Sequence, residues 1–325
     1  MGFALGKEIF KYGLCLAPMA GYSDSAMREV CHTFGAELAV TEMISARAVA
    51  YGDKKTLRLA KIGASEGAVA LQIFGSEPSV LAEAAAKLSL PIGEEYASPV
   101  AIDINMGCPV NKIFNNGDGS ALMRSPTLIY DIVRAASRAT ALPITVKLRL
   151  GIDRDNINAT ECALAAEEGG ASLLTLHGRT RADMYSGLAD REKIAKVKEA
   201  IRIPLVANGD VTSGESALDM LSVTGADGIA VGRGAVGNPF IFSEILAVLR
   251  GEEIPSYTRA ERVETAIREL RLAVADKGER VAIPESRGRI AAYIRAFPGA
   301  ARIRERVNTA LTLAEIEKIL TESIS

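Results

Sequence analysis

AIDINMGCPVNKIFNNGDGSALM, residues Ala101–Met123, decides how the chain is read. It opens on a short alternating apolar run, Ala101–Ile104, too short for a helix and suited to a buried strand. The run breaks at Asn105-Met106-Gly107-Cys108-Pro109, where Pro109 forbids helix and Gly107 permits a sharp turn. Cys108 is thereby expected on a loop at a strand's C-terminal end rather than in a core. A glycine-containing loop, Asn115–Ser120, follows, and a helix is predicted from near Pro126. A cysteine between glycine and proline is either a turn residue or a reactive thiol, and the local pattern leaves both open.

Working outward, strand-like apolar runs recur at Leu14–Ala17, Leu38–Thr41, Val69–Ile73, Ala101–Ile104, Ile144–Leu148, Leu173–Leu176, Leu205–Ala207 and Gly228–Val231. Most are followed by helical patterns: Ser25–Phe34, Ser79–Leu88, Thr127–Ala139, Ala159–Glu168, Glu192–Ala200, Gly214–Ser222 and Pro239–Leu249. Asp24, Ser125 and Ser213 are candidate helix caps, with Pro126 and Pro239 near first positions. The second unit, Ser45–Lys61, is helical but irregular. Eight strands alternating with helices imply parallel pairing in right-handed βαβ units. Eight is the number that closes a ring, so a (β/α)8 barrel over residues 1–250 is predicted. An open doubly wound sheet is disfavoured, because Ala17-Pro18-Met19-Ala20-Gly21 stands where a GxGxxG would follow the first strand.

Gly251–Tyr257, with Pro255, reads as a linker. Beyond it Arg259–Lys277, Arg287–Ala296, Ala300–Ala310 and Ala314–Leu320 are helical patterns without a strand among them. Residues 251–325 are therefore expected to form a small all-helical C-terminal domain.

With 48% hydrophobic and 24% charged residues, the 325-residue chain has ordinary globular composition and ample length for a large core. No run of eighteen apolar residues suggests a membrane span, and MGFALGKEIF lacks the pattern of a signal peptide. The four cysteines show no CxxC or zinc spacing, so no metal site is read, and Cys15, Cys31 and Cys162 are expected as buried free thiols in a reducing cytoplasm. Charge is uneven. From Arg280 to Arg306 seven arginines face Glu285 and Glu305, a net +5, leaving −7 for the remainder of a chain whose total is −2. This segment is a basic patch.

Chemistry-capable residues fall at nearly every strand end: Pro18-Met19, Glu42, Gln72, Asn105 with Cys108, Lys147 with Arg149, His177 with Arg179, Asn208-Gly209-Asp210 and Gly232-Arg233. In a barrel these ends converge on the face that carries active sites. Lys147 and Arg149 taken singly could be solvated strand residues, and His177 a structural imidazole; the shared topological position argues otherwise. The loops after the last two strands, Asn208–Asp210 and Gly232–Ala235, occupy the usual phosphate corner, where glycines let N–H groups approach an oxyanion and Arg233 adds charge. With Lys147 pointing inward, flavin mononucleotide fits, since a cation near its pyrimidine edge stabilises the reduced ring.

These residues resemble the tRNA-dihydrouridine synthases, and are most similar to their bacterial B-type branch. The matches are Ala17–Gly21 with Asp24, Gln72–Gly75, Asp103–Pro109 (DINMGCP) with Lys112, Gly119–Leu122, Val146–Arg149, His177–Thr180 with Tyr185, Gly187 and Ala189, Asn208–Asp210, and Gly232-Arg233. The pattern departs at Arg191 and at Arg287–Tyr293. The resemblance implies FMN-dependent, NADPH-consuming reduction of uridines in tRNA to 5,6-dihydrouridine. It implies that Pro18, Met19, Ala20, Gln72, Lys147, His177, Asn208, Gly209, Asp210, Gly232 and Arg233 bind FMN. Cys108 would protonate uracil C5 after hydride reaches C6, and Asn105 and Arg149 would place the base. The basic helical segment, with Arg287, Arg302, Arg304 and Arg306, would contact the RNA. A dihydroorotate dehydrogenase-like barrel acting on a small molecule is the alternative, but it has no use for a basic helical domain. A non-catalytic RNA-binding barrel has no use for Cys108 and the flavin set.

Overall fold

The computed structural model describes residues 1–324. Eight parallel strands form the barrel: β1 (Leu14–Leu16), β2 (Leu38–Val40), β3 (Ala68–Phe74), β4 (Ala101–Met106), β5 (Ile144–Arg149), β6 (Leu173–His177), β7 (Leu205–Asn208) and β8 (Gly228–Val231). Each pairs with its sequence neighbour, and β8 pairs with β1, with Ala230 opposite Cys15. That last pairing closes the ring and excludes the open sheet. Helices lie outside it, and their starts follow the caps read in the sequence. Asp24 accepts from the Met27 N–H at 3.0 Å, Ser125 caps a helix with Pro126 in its first turn, and Ser213 forms a capping box with Ser216.

Strand alternation divides the core in two. Leu14, Leu16, Ala39, Val69, Leu71, Ile73, Ile102, Ile104, Val146 and Leu148 point outward and pack under the helices. Cys15, Leu38, Val40, Ala70, Ala101, Leu173, Val206 and Ala230 point inward. The same inward parity continues up the strands through Gln72, Asp103, Asn105, Lys147, Arg149, Thr175, His177 and Asn208. The apolar floor thus gives way to a polar mouth at the C-terminal ends.

Four features differ from the sequence reading. An antiparallel hairpin, Phe3–Leu5 with Glu8–Phe10, plugs the floor, its Phe3 and Phe10 rings 5.1 Å apart and packed on the inward residues. Its strands are three residues each, too short to give a pattern. The irregular Ser45–Lys61 stretch resolves into two five-residue helices, Ala46–Ala50 and Lys54–Arg58. The loop after Cys108 is ordered as a short helix, Asn111–Asn115, and a 3-10 turn, Gly119–Arg124. The second C-terminal helix runs Glu279–Tyr293 rather than from Arg287, and Pro284 lies inside it. The face formed by Ala282, Ile283, Ser286, Ile290 and Tyr293 is buried, and that burial outweighs the hydrogen bond Pro284 forfeits.

The remaining C-terminal helices are Arg259–Lys277, Ala300–Thr309 and Leu313–Glu322, sharing an apolar core that includes Phe240 from the barrel's end. They dock on the helix after β1 through Arg289. Its guanidinium, 2% exposed, donates to Asp24 Oδ1 at 2.7 Å and lies 3.2 Å from Glu269 Oε1. Tyr293 donates to the other Glu269 oxygen at 2.7 Å, and Lys277 reaches Asp24 Oδ2 at 2.7 Å. No helix among the described residues is long and apolar enough to cross a membrane.

Candidate active site

The mouth of the barrel opens into a cavity of about 1190 Å³ that runs from the strand ends to the C-terminal helices. Register builds its floor. Asn105 lies opposite Lys147, Arg149 opposite His177, and His177 opposite Asn208.

Cys108 follows β4 by two residues, as read from the sequence, and its thiol lines the cavity while only 8% of the residue is exposed. The turn that presents it is made by Asn105, whose Oδ1 accepts from the N–H groups of Cys108 (2.9 Å) and Gly107 (3.3 Å). Asn105 Nδ2 donates to Gln72 Oε1 at 2.8 Å. Gln72 Nε2 donates to Asp103 Oδ2 at 2.7 Å, and Asp103 Oδ1 accepts from Thr145 Oγ1 at 2.5 Å. This chain across β3, β4 and β5 fixes Asn105 and through it the cysteine. From the other side Ser120 Oγ donates to Cys108 O at 2.7 Å, and Arg149 Nε to Gly107 O at 3.0 Å. Gly119 (φ +60°) brings the 3-10 turn so close that a Cβ there would sit 3.0 Å from Cys108 Cβ. Burial raises the Cys108 thiol above its ordinary pKa, with Val110 N–H and Arg149 pulling weakly the other way, so it keeps its proton at neutral pH.

Lys147 Nζ donates to Asn208 Oδ1 at 3.0 Å, and Asn208 Nδ2 in turn donates to Ala230 O at 2.8 Å. Burial, then the neighbouring Arg149, lowers Lys147 to about 8. His177 is held neutral, its pKa pushed far down by burial and then by Lys147, Arg149, Arg179 and Arg233. Arg179 Nη1 lies 3.5 Å from His177 Nε2. The sequence reading gave Arg179 no role. It also anchors the next loop, pairing with Asp210 Oδ2 at 2.7 Å and donating to the carbonyls of Gly187 and Ser186.

Asp210 adopts φ +52°, a left-handed conformation that aspartate tolerates better than most residues. Gly209 beside it (φ +129°) could carry no Cβ, which would meet Ala189 Cβ at 2.6 Å. After β8 the chain makes a single 3-10 turn, Arg233–Ala235, whose leading N–H groups have no acceptor within the turn. Arg233 lies over the exposed Tyr185 ring at 4.5 Å and 3.5 Å from Asp210 Oδ1.

Pro18, Met19, Ala20, Gln72, Lys147, His177, Asn208, Gly209, Asp210, Gly232 and Arg233 all line this cavity, with Asn105, Cys108 and Arg149. Arg149 has committed three N–H groups to the carbonyls of Gly107, Thr180 and Met184, which leaves Nη2 free to turn to a ligand. Arg287, Arg302, Arg304 and Arg306 do not line it. Arg287 donates to Ala310 O, Arg306 pairs with Glu322 at 2.6 Å, and Arg302 and Arg304 make no ion pair among the described residues. Arg289, counted in the basic segment, is buried in the docking network. The cavity instead takes Arg295, read in the sequence only as part of the basic segment, and Arg259 and Arg262, which sequence reasoning missed because nothing local separates them from any solvated helix face. Among the described residues no group of three or more His, Cys, Asp and Glu side chains could hold a metal ion.

A closed parallel barrel whose cationic side chains, glycine-bearing turns and buried thiol all meet at the C-terminal ends of its strands has the architecture of a barrel enzyme. The dihydrouridine synthase (Dus) family matches residues 15–325. The tRNA-dihydrouridine synthase B of Pseudomonas aeruginosa is 40% identical over 297 residues, 91% of this chain and 87% of that one. That of Vibrio parahaemolyticus is 43% identical over 241 residues, 74% and 73% of the two chains. Among solved structures, histamine dehydrogenase from Rhizobium sp. 4-9 superposes with a TM-score of 0.57 at 14% identity, over 88% of this chain and 50% of that one. A variant of NCR from Zymomonas mobilis does so with a TM-score of 0.54 at 16% identity, over 80% and 94%. These two share the barrel. The chain belongs to the dihydrouridine synthase family, flavin-dependent oxidoreductases that reduce uridines in tRNA.

The site's own donors fit a flavin. Lys147 and Arg233 supply cations, the buried Gln72, Asn105 and Asn208 supply amides, and the turn after β8 presents N–H groups without an acceptor in the turn, which suit a phosphate.

Proposed function

We propose that the chain uses FMN and NADPH to reduce specific tRNA uridines to 5,6-dihydrouridine. The observation that carries this is the shared opening of Cys108 and Lys147: a thiol in the turn just past β4 and an ammonium on the adjacent β5, lining one cavity. FMN, when bound and reduced by NADPH, supplies the hydride that adds to uracil C6. Cys108 holds the proton that C5 then takes from Sγ, saturating the C5–C6 bond. Pro18, Met19, Ala20, Gln72, Lys147, His177, Asn208 and the turns at Gly209–Asp210 and Gly232-Arg233 would hold the cofactor, the last turn's N–H groups and Arg233 being suited to its phosphate. Asn105 orients Cys108 and offers its remaining N–H to the base, and Arg149 offers Nη2. The reaction belongs in the cytoplasm, where tRNA, reductant and free thiols coexist.

Purified protein should be yellow and release FMN, not FAD, on denaturation. Lys147→Ala should weaken FMN binding about 10–100-fold, the worth of a charged hydrogen bond. Because Lys147 is cationic below about 8 and neutral above it, FMN affinity should fall as pH rises through that value. Colourless protein that takes up no added FMN would remove this reading.

The helical residues 251–325 form the tRNA-binding part in this reading. Arg302 is exposed and Arg304 half-buried, neither in an ion pair among the described residues, and Arg306 would exchange Glu322 for a phosphate. Reversing the three to glutamate should weaken tRNA binding and flatten its dependence on salt, by roughly 0.7 in log–log slope for each lost contact. Normal affinity in a chain lacking Pro255–Ser325 would refute the assignment.

A further inference from the structure

Lys147 lines two cavities. One is the large opening at the barrel mouth; the other, inside the barrel, is a void of about 10 Å³, room for about one water. Among the described residues each is lined by a single acid. In the mouth it is Asp210, already shared by Arg179 and Arg233. In the void it is Asp103, whose other neighbours there are Thr145, Thr175, Cys15 and apolar side chains. Asp103 is 3% exposed and lies on β4 opposite Thr145, one inward step below Lys147 on β5. Its oxygens accept from Thr145 Oγ1 at 2.5 Å and Gln72 Nε2 at 2.7 Å, and neither it nor Lys147 makes an ion pair among the described residues. The remaining groups facing Lys147 offer no anion. Arg149 shares its strand, the neutral His177 stands on β6, Asn208 on β7 accepts one of its N–H groups, and Arg179 and Arg233 lie beyond. Burial keeps the thiols of Cys15 on β1 and Cys108 past β4 protonated.

We propose that Asp103 is the counter-ion of Lys147, a positioning residue that acts on the ammonium from across the water-sized void. This deepens the FMN reading and rests on it for what the ammonium is used for. An ammonium drawn out of water beside a guanidinium gives up its proton more readily than a solvated one. Burial and Arg149 both push Lys147 that way, and Asp103 pulls it back. A charge acting through a protein wall with room for only one water is weakly screened, so contact is not needed. Because the two do not touch, Nζ stays on Asn208 and keeps its other N–H groups for a ligand.

Asp103→Asn deletes the charge and little else. Its Oδ1 can accept from Gln72 while its Nδ2 donates to Thr145 Oγ1, a hydroxyl that accepts as well as donates, so Asn105 and the Cys108 turn keep their bonds. The full-length protein, labelled with an NMR-active carbon at lysine Cε, is titrated with and without added FMN; the Lys147 resonance is the one missing from Lys147→Met. Its midpoint of about 8 should fall by about 1–2 pH units in Asp103→Asn, the effect of losing a neighbouring opposite charge. Asp103→Ser, which leaves space for a water in place of the carboxyl group, should lower it alike. FMN affinity should follow, matching the unmodified protein near about pH 6 and falling about 5–20-fold below it near about pH 8. Recovery in acid separates a lost charge from a damaged site, which no pH would restore. A Lys147 midpoint unmoved in both variants would overturn the counter-ion, whether or not FMN binds. A lowered midpoint in a protein that takes up no FMN would uphold the counter-ion and remove the flavin reading instead.

Discussion

Cys108→Ala should leave reduction of bound flavin by NADPH at its normal rate and slow dihydrouridine formation by about 10²–10⁴, the contribution of one general acid. The half-reactions separate because the first needs no proton delivered to carbon. The thiol sits in a turn whose geometry is set by Asn105, Ser120 and Arg149, none of which bonds to sulfur. Removing Sγ therefore deletes the proton without dismantling the turn. Cys108→Ser tests the same point from the other direction: a hydroxyl fits the space but gives up its proton far less readily, so its rate should resemble that of alanine. Burial raises the thiol above its ordinary pKa, so the acid form persists through neutrality and the rate attributable to it should decline only on the alkaline side. Cys31 and Cys162 are fully buried away from the cavity, and alanine at either should leave the chemistry intact. Equal loss in all three variants would remove the special role of Cys108.

The barrel was legible because its signals are local and repeated. Each strand run carries its own period, and each ends in a residue whose type makes sense only on a shared face. The parity that turns Asp103, Asn105, Lys147 and Arg149 inward can be counted off the sequence once Ala101 and Thr145 are placed inside. What joins them could not be counted. The Thr145–Asp103–Gln72–Asn105 chain links residues 31 to 42 positions apart, and its existence depends on register across three strands. It recasts Asn105, which the resemblance put against the base, as first of all the residue that shapes the Cys108 turn. The basic segment shows the same limit. Seven arginines give a charge, but charge along a sequence does not say which guanidinium is solvated, paired or buried. Arg289 went to the interior, Arg306 to Glu322, and Arg295 to the cavity, decided by helix phase and by where Pro284 failed to stop a helix.

Arg289→Met should destabilise the protein by about 3–5 kcal/mol, the cost of stranding buried carboxylates when their cation is removed. Asp24 would keep Lys277, but Glu269 would keep only the Tyr293 hydroxyl. The damage should reach the site, because Asp24 is also the N-cap of the helix after β1 and Arg289 donates to Tyr22 O at 3.3 Å. The loop so held, Pro18 to Tyr22, lines the cavity. Acid sensitivity should change with it. Burial alone would raise Asp24, but Arg289 and then Lys277 hold it down to about 2. A carboxylate depressed in the folded state adds stability above its unfolded pKa, about 3.9, and loses it as pH falls towards the folded value. Without Arg289 the folded pKa rises, so the contribution shrinks and the acid transition moves to higher pH. Combining Arg289→Met with Glu269→Met removes one stranded charge and should recover part of the loss, since buried ion pairs can be replaced by apolar side chains of similar volume. Urea unfolding of the single and double variants, with flavin retention followed in parallel, measures both effects. A loss below about 1 kcal/mol for the single variant would place the hold between helices and barrel in their apolar contacts, Phe240 with Tyr257 and Tyr293 foremost.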